Sequence, residues 1–172
     1  HGVLGDQQAA LLGQNCTRIN DVKNTYGTGC FTLKNIGSKF KTPPQGILGT
    51  IAWNLDGQTI YAWEGSVKIA GAVMQYLRDK LQIIDDVSQS EKLAQKYGPN
   101  DDLFFVPTFT GIGSPYWIDH SKAALLGLSL HHNKNHIIVA ALESLAYQSL
   151  SLIHLLKPIN KIKVDGGASK NK

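Results

Sequence analysis

Two short runs near the start of the chain carry residues that can do chemistry. Residues 5–8 read GDQQ and place one acidic side chain, Asp6, at a strand-to-helix corner; residues 24–31 read NTYGTGCF and set Thr28 between two glycines. A carboxylate so placed can take the proton of an attacking hydroxyl. A hydroxyl and backbone N–H groups in a glycine-flanked turn can close on a phosphate without side-chain obstruction. Together they read as a phosphotransfer site. A third turn, Asp165-Gly166-Gly167 with Asn171 after it, can lay a nucleotide on bare backbone where a helix starts. Each signal alone is weak. Asp6 also reads as a helix N-cap, the two glycines also read as a tight hairpin, and the chain holds neither a GxxxxGK[ST] loop nor a GxGxxG fingerprint.

The elements that must position these residues follow from periodicity. Behind Asp6, the run QQAALLGQ supplies apolar positions for a short buried helix that Gly13 helps to end. Residues 25–35 predict strand, Gly-Thr-Gly turn, strand. Residues 47–55 and 58–63 flank Asp56-Gly57, a type I′ hairpin signal, so a meander of three or four strands is expected. From Glu64 the period changes: Val67, Ala70, Met74, Leu77, Leu81 and Ile84 recur at three or four residues and predict an amphipathic helix. Gly71 falls in its middle, where glycine costs about 1 kcal/mol against alanine, so another backbone or a ligand should approach closely there. Residues 88–97 predict a second helix, closed by Gly98-Pro99, and residues 103–106 a short strand leading into the loop PTFTGIGSPYW. A long helix capped by Asn135 is expected next, with Ile138, Ala141, Leu145, Leu152 and Leu156 as its buried stripe and Pro158 as its stop. A last strand over 159–164 runs into the Asp165-Gly166-Gly167 turn. No internal repeat or flexible linker interrupts the pattern.

Composition narrows the class. The chain has 172 residues, 42% hydrophobic and 17% charged, which describes one folded domain able to bury a core. No apolar run approaches the roughly 18 to 20 residues of a membrane span, and the opening HGVLGDQQ lacks signal-peptide character. Cys16 and Cys30 show neither paired nor metal-type spacing, which fits a reducing, cytoplasmic setting. The net charge of +4 comes from scattered lysines and does not predict nucleic-acid binding. His131, His132 and His136 read as solvated polar residues ahead of a helix rather than as metal ligands. Trp53, Trp63 and Trp117 read as packing residues.

Taken in order, GDQQAALLGQ, KNTYGTGCF, YAWEGSV, PTFTGIGSPYW, LLGLSLHHNKNHIIVAALES and VDGGASKN form a combination that closely resembles the glycerol kinases of the FGGY carbohydrate kinase family. The resemblance covers residues 5–171. It implies an α/β fold, an actin-like, ribonuclease H-like ATPase lobe with a mixed sheet and flanking helices. It implies ATP-dependent transfer of a γ-phosphate to glycerol, giving sn-glycerol 3-phosphate and ADP. Asp6 matches the general base, Gln7 the glutamine that hydrogen-bonds the polyol, and Phe31 an aromatic that walls its carbon chain. Thr28 and Gly29 match the turn on the β- and γ-phosphates, Gly71 and Gln75 positions flanking the nucleotide, and Gly167 and Asn171 the loop that holds the adenosine.

Other implications are equally explicit. Glycerol and ATP are the expected ligands, with Mg2+ held mainly from outside these residues, and a dimer or tetramer is the expected assembly. Residues 1–172 would form one domain, part of the second of two lobes, and by themselves would show no turnover. Lys122 and Ala123 depart from the Arg-Gly pair common in such kinases, keeping the charge and losing the guanidinium fork. Two alternatives remain: a kinase for another sugar or polyol such as xylulose or ribulose, and a non-catalytic actin-like nucleotide-binding module.

Overall fold

The computed structural model describes residues 3–170, so Asn171 lies outside the described residues. Its centre is a five-stranded sheet in the order β3-β4-β2-β1-β7. The strands are β1 (Asp21–Tyr26), β2 (Cys30–Gly37), β3 (Leu48–Leu55), β4 (Gln58–Val67) and β7 (Lys161–Gly166). The first four pair antiparallel, and β7 joins the far side of β1 in parallel, which makes the sheet mixed as expected. Asp56 and Gly57 turn the β3–β4 hairpin at φ 50° and 78°, the two positive values a type I′ turn needs. The strands do not follow one another as a simple meander. The exposed connection after β2 carries the chain past its neighbour, and β4, not β3, pairs with β2.

Alternation along the strands divides the core between two faces. Helix α1 (Asp6–Gly13) covers one, where Leu11 and Cys16 pack with Leu33, Ala52, Trp53 and Ala62. Helices α2 (Gly71–Asp79) and α4 (Lys134–Leu155) cover the other, where Cys30 and Val67 meet Val73, Met74, Leu77, Ile138, Ala141, Leu145 and Leu152. The expected stripe on the long helix, from Ile138 to Leu156, is buried throughout. Helix α3 (Gln89–Tyr97) packs on α4, and β5 (Phe104–Val106) pairs with a strand that the sequence did not signal, β6 (Ala124–Leu126).

Three elements differ from expectation. The periodic stretch from Glu64 is not one helix: residues 64–67 finish β4, paired with β2 as far as Cys30↔Val67, and α2 starts only at Gly71. It ends at Asp79, before Gln82 takes φ 54°, and Leu81 points out. Gly71 therefore opens a helix rather than interrupting one. The long helix is capped by Asn133, not Asn135; the Asn133 carboxamide accepts the Asn135 N–H at 2.9 Å, and His136 Nδ1 accepts the Asn133 N–H at 3.1 Å. Helix α4 is also long and apolar enough, by length and composition, to cross a membrane, contrary to the expectation that no run would be. Its buried stripe lies in the domain core.

The histidines are less free than the sequence suggested. The His132 side chain is 1% exposed and donates through Nε2 to Asp102 Oδ1 at 3.2 Å, while Nδ1 accepts the Ser129 N–H at 3.0 Å. With Nδ1 engaged as an acceptor, the proton of the neutral ring sits on Nε2. Asp102, His131 and His132 bring their ligand atoms within 4.8 Å of one another, but that tautomer turns a proton, not a lone pair, toward the space between them. The trio clamps two loops.

Candidate active site

The carboxyl ends of β1 and β7, the turn after β1 and the N-terminus of α1 converge on one edge of the sheet, the place where open α/β sheets bind ligands. Asp6 is the first residue of α1. Gly5 holds the cap position with no side-chain bond, so the N-cap reading of Asp6 gives way to another arrangement. The Asp6 carboxylate is exposed; Oδ1 accepts the Gln7 backbone N–H at 2.8 Å, and Oδ2 accepts Gln7 Nε2 at 3.2 Å. A negative charge in the first helical turn is favoured by the helix dipole, and its free lone pairs face solvent.

Register places further groups beneath it. Lys23, Leu33 and Glu64 stand side by side across β1, β2 and β4, and Thr25, Phe31 and Ser66 form the next row on the same face, with Asp165 beside Thr25 on β7. This is the face that α1 covers. Phe31 is half-buried and packs with Leu12 and Ile60 against the core there. Lys23 is fully buried, and its ammonium donates to Gln7 Oε1 and, at 3.0 Å, to Thr25 Oγ1. Burial pulls the Lys23 ammonium below its ordinary range, opposed by the attraction of Asp165, Glu64, Cys30 and Asp6. Burial pushes the Glu64 carboxyl up, opposed by Lys23 and reinforced by Asp6. Asp165 Oδ1 is buried without a hydrogen-bond partner among the described residues. None of Lys23, Thr25, Glu64 or Asp165 stood out in the sequence as a site residue. The signal was a lysine alternating with threonine in a strand otherwise suited to burial.

The turn at 27–29 is seated on the N-terminus of α2. Ala70 and Ala72 N–H groups donate to the Thr28 carbonyl at 2.8 and 3.1 Å, and Gly71 N–H to the Gly27 carbonyl at 3.0 Å. Both glycines are demanded by backbone. A Cβ on Gly29 would lie 2.6 Å from the Val67 carbonyl oxygen, and one on Gly71 would lie 2.6 Å from that of Gly27. The close neighbour expected at Gly71 is thus the turn itself. In front of it opens a cleft of about 410 Å³, lined by Gly27, Thr28, Gly71, Gln75, Arg78 and Gly167 among others, a volume suited to a small ligand. Four of the six residues expected at a nucleotide, Thr28, Gly71, Gln75 and Gly167, meet there. Gly29 is buried behind the turn, and Arg78 is an addition that the sequence reading did not name. Asp6, Gln7 and Phe31 lie outside this lining, on the α1 face.

Residues 22–172 match the model of the FGGY family of carbohydrate kinases, C-terminal domain. The glycerol kinase of Desulfitobacterium hafniense is 50% identical over 99% of the chain, which spans 35% of that protein. The glycerol kinase of Haemophilus influenzae is 47% identical over the same shares. Among solved structures, Plasmodium falciparum glycerol kinase with ADP superposes with a TM-score of 0.90 at 34% identity, over 99% of this chain and 35% of that one. A ligand-bound xylulose kinase from Lactobacillus acidophilus shares the fold, with a TM-score of 0.78 at 21% identity over 94% of this chain and 33% of its own. The chain spans about a third of the length of the relatives it matches.

Proposed function

The chain belongs to the FGGY family of carbohydrate kinases, and from that premise we propose that it supplies one wall of a cleft in which the γ-phosphate of ATP passes to glycerol. Asp6 takes the proton of the attacking hydroxyl, because an alcohol becomes a competent nucleophile for in-line attack as that proton leaves. Gln7 hydrogen-bonds the polyol and Phe31 borders its carbons. Thr28 supplies a donor where charge grows on the transferring phosphoryl group, on a turn that Gly29 allows to seat against β4. Gly71, Gln75 and Gly167 hold the nucleotide in the cleft, with Asn171 beyond the described residues completing its adenosine end. The reading places the reaction in the cytoplasm, where free, buried Cys16 and Cys30 stay reduced.

What carries this reading is that the described residues hold both an exposed carboxylate on α1 and, against α2, a glycine-built cleft at the strand ends. ATP would arrive with Mg2+. No described residue lining the cleft carries a carboxylate, so the ion's ligands would come from the opposite wall. Glycerol is preferred over other polyols as acceptor because the named glycerol kinases are about 50% identical to this chain, whereas the xylulose kinase is 21% identical.

The test is replacement. Residues 5–171 replace the matching third of the Desulfitobacterium hafniense glycerol kinase, and ATP-dependent phosphorylation is measured with glycerol, xylulose and gluconate. Turnover with glycerol that Asp6→Asn abolishes supports the proposal; a folded chimera inactive on glycerol overturns it. The chain by itself is expected to show no phosphorylation above an Asp6→Asn control. A non-catalytic nucleotide-binding module would instead bind ADP identically with and without glycerol, in wild type and in Asp6→Ala.

A further inference from the structure

Lys23 sits in the middle of β1 with no exposed surface, beneath the first turn of α1. An ammonium carries three donors and no acceptor. The Gln7 carboxamide can therefore meet it only through oxygen, as it does: Lys23 Nζ donates to Gln7 Oε1. That contact turns the amide nitrogen outward, where it donates to Asp6 Oδ2 at 3.2 Å. The opposite rotamer would face donors with donors at Lys23 and oxygen with a carboxylate at Asp6. The second partner, Thr25 Oγ1 at 3.0 Å, holds the ammonium in place from its own strand.

We propose that Lys23 is a positioning residue, fixing the Gln7 carboxamide so that its nitrogen is presented to Asp6 and to a polyol hydroxyl. The proposal rests on the kinase reading above and adds to it a residue that touches neither substrate. The groups that act on the ammonium come from four elements: Asp6 and Gln7 on α1, Glu64 on β4, Asp165 on β7 and, through the sheet, Cys30 on β2, while Lys163 on β7 is its exposed register partner. Three of them are carboxylates, so the buried ammonium sits among acidic groups. Burial works against that charge and lowers the Lys23 pKa, and the cost is offset by the cluster and by the two hydrogen bonds. Lys23 also explains why the sequence places glutamine at position 7. A glutamate there would meet the ammonium well but would turn an oxygen toward Asp6.

The experiment uses the chimera with Lys23→Met, Gln7→Leu and the double variant, and reads KM for glycerol, KM for ATP and kcat. Losing one aimed hydrogen bond should raise the glycerol KM about tenfold or more. The ATP KM should stay within about twofold, because the nucleotide cleft does not include Lys23. The double variant should be no worse than Gln7→Leu alone. Additive effects, or glycerol and ATP KM rising together, overturn the proposal. Gln7→Glu keeps Lys23 and the side-chain shape, so it serves if Lys23→Met does not fold; unchanged glycerol KM in Gln7→Glu overturns the proposal as well. A readout free of activity separates the two ideas. In the chain alone, the Gln7 side-chain amide resonances should shift on Lys23→Met while those of the 27–29 turn hold, and an unmoved Gln7 overturns the inference. A responding Gln7 in a chimera that does not phosphorylate glycerol places the failure in the kinase reading.

Discussion

The Gly71 N–H donates to the Gly27 carbonyl at 3.0 Å, and a Cβ on Gly71 would stand 2.6 Å from that same oxygen. One contact thus fixes both the start of α2 and the seat of the turn that carries Thr28. Gly71→Ala should force the two apart, and overpacking of this kind costs about 1–3 kcal/mol. Urea unfolding should show the loss, and calorimetry should show weaker ADP binding, since Thr28 and Gly71 share the cleft. A variant with unchanged midpoint and unchanged ADP affinity would contradict the geometry.

Asp6 is exposed and bonds only to its neighbour Gln7 among the described residues. Asp6→Asn should leave stability within about 0.5 kcal/mol, as surface changes do. Turnover in the chimera should fall by about 10²–10⁴, the range for removing a general base. ADP affinity should not move. A large fall in stability would mean that Asp6 is structural, and retained turnover would remove it from the role of base.

What the sequence made legible follows from how local each signal is. The β3–β4 hairpin was readable because Asp56-Gly57 itself carries the turn. Asp6 and Thr28 were readable because glycine precedes the one and flanks the other, marking irregular backbone. The join between β4 and α2 was not: the inward residues of a strand ending at Val67 and of a helix beginning at Gly71 fall by coincidence on a spacing of three and four. Neither was Lys23, since a lysine in a strand reads as solvent-facing until α1 is laid over that face. Only register sets it in one row with Glu64, across Leu33, and one row from Asp165. The placing of β4 next to β2 depends on how the exposed 38–47 connection runs, and no residue pattern encodes that route.

Leu152 is fully buried on α4, and its methyl carbons lie 3.0 and 3.3 Å from where a Cβ on Gly65 would stand. Leu152→Ala should cost about 2–5 kcal/mol by opening a cavity. Gly65→Ala should cost stability in the wild type by crowding the same point. Combined, each relieves the other, so the double variant should lose less than the sum of the singles by about 0.5 kcal/mol or more. Strict additivity in urea denaturation would show that α4 and β4 do not pack through this pair.

Lys23 gives the fold a pH dependence of definite sign. Burial, outweighing the carboxylates around it, holds its pKa below the ordinary 10.5. Between that lowered value and 10.5 the unfolded chain binds a proton that the native state has released. Stability therefore rises with pH across this window. Below the folded pKa the full cost of burying the ammonium is present, and above 10.5 both states are neutral and the dependence ends. Cys30 acts oppositely: burial raises its thiol above 9.0, so its contribution is lost as pH climbs past that point. Comparing wild type with Lys23→Met removes the part of the Cys30 titration that both share, and the remainder, the lowering of the Cys30 pKa by the ammonium, acts in the same direction in this comparison by sparing wild type some of that loss. The stability difference from urea denaturation should shift in favour of wild type as pH rises from the neutral range toward 10.5. A flat difference would mean that burial does not lower the Lys23 pKa on folding.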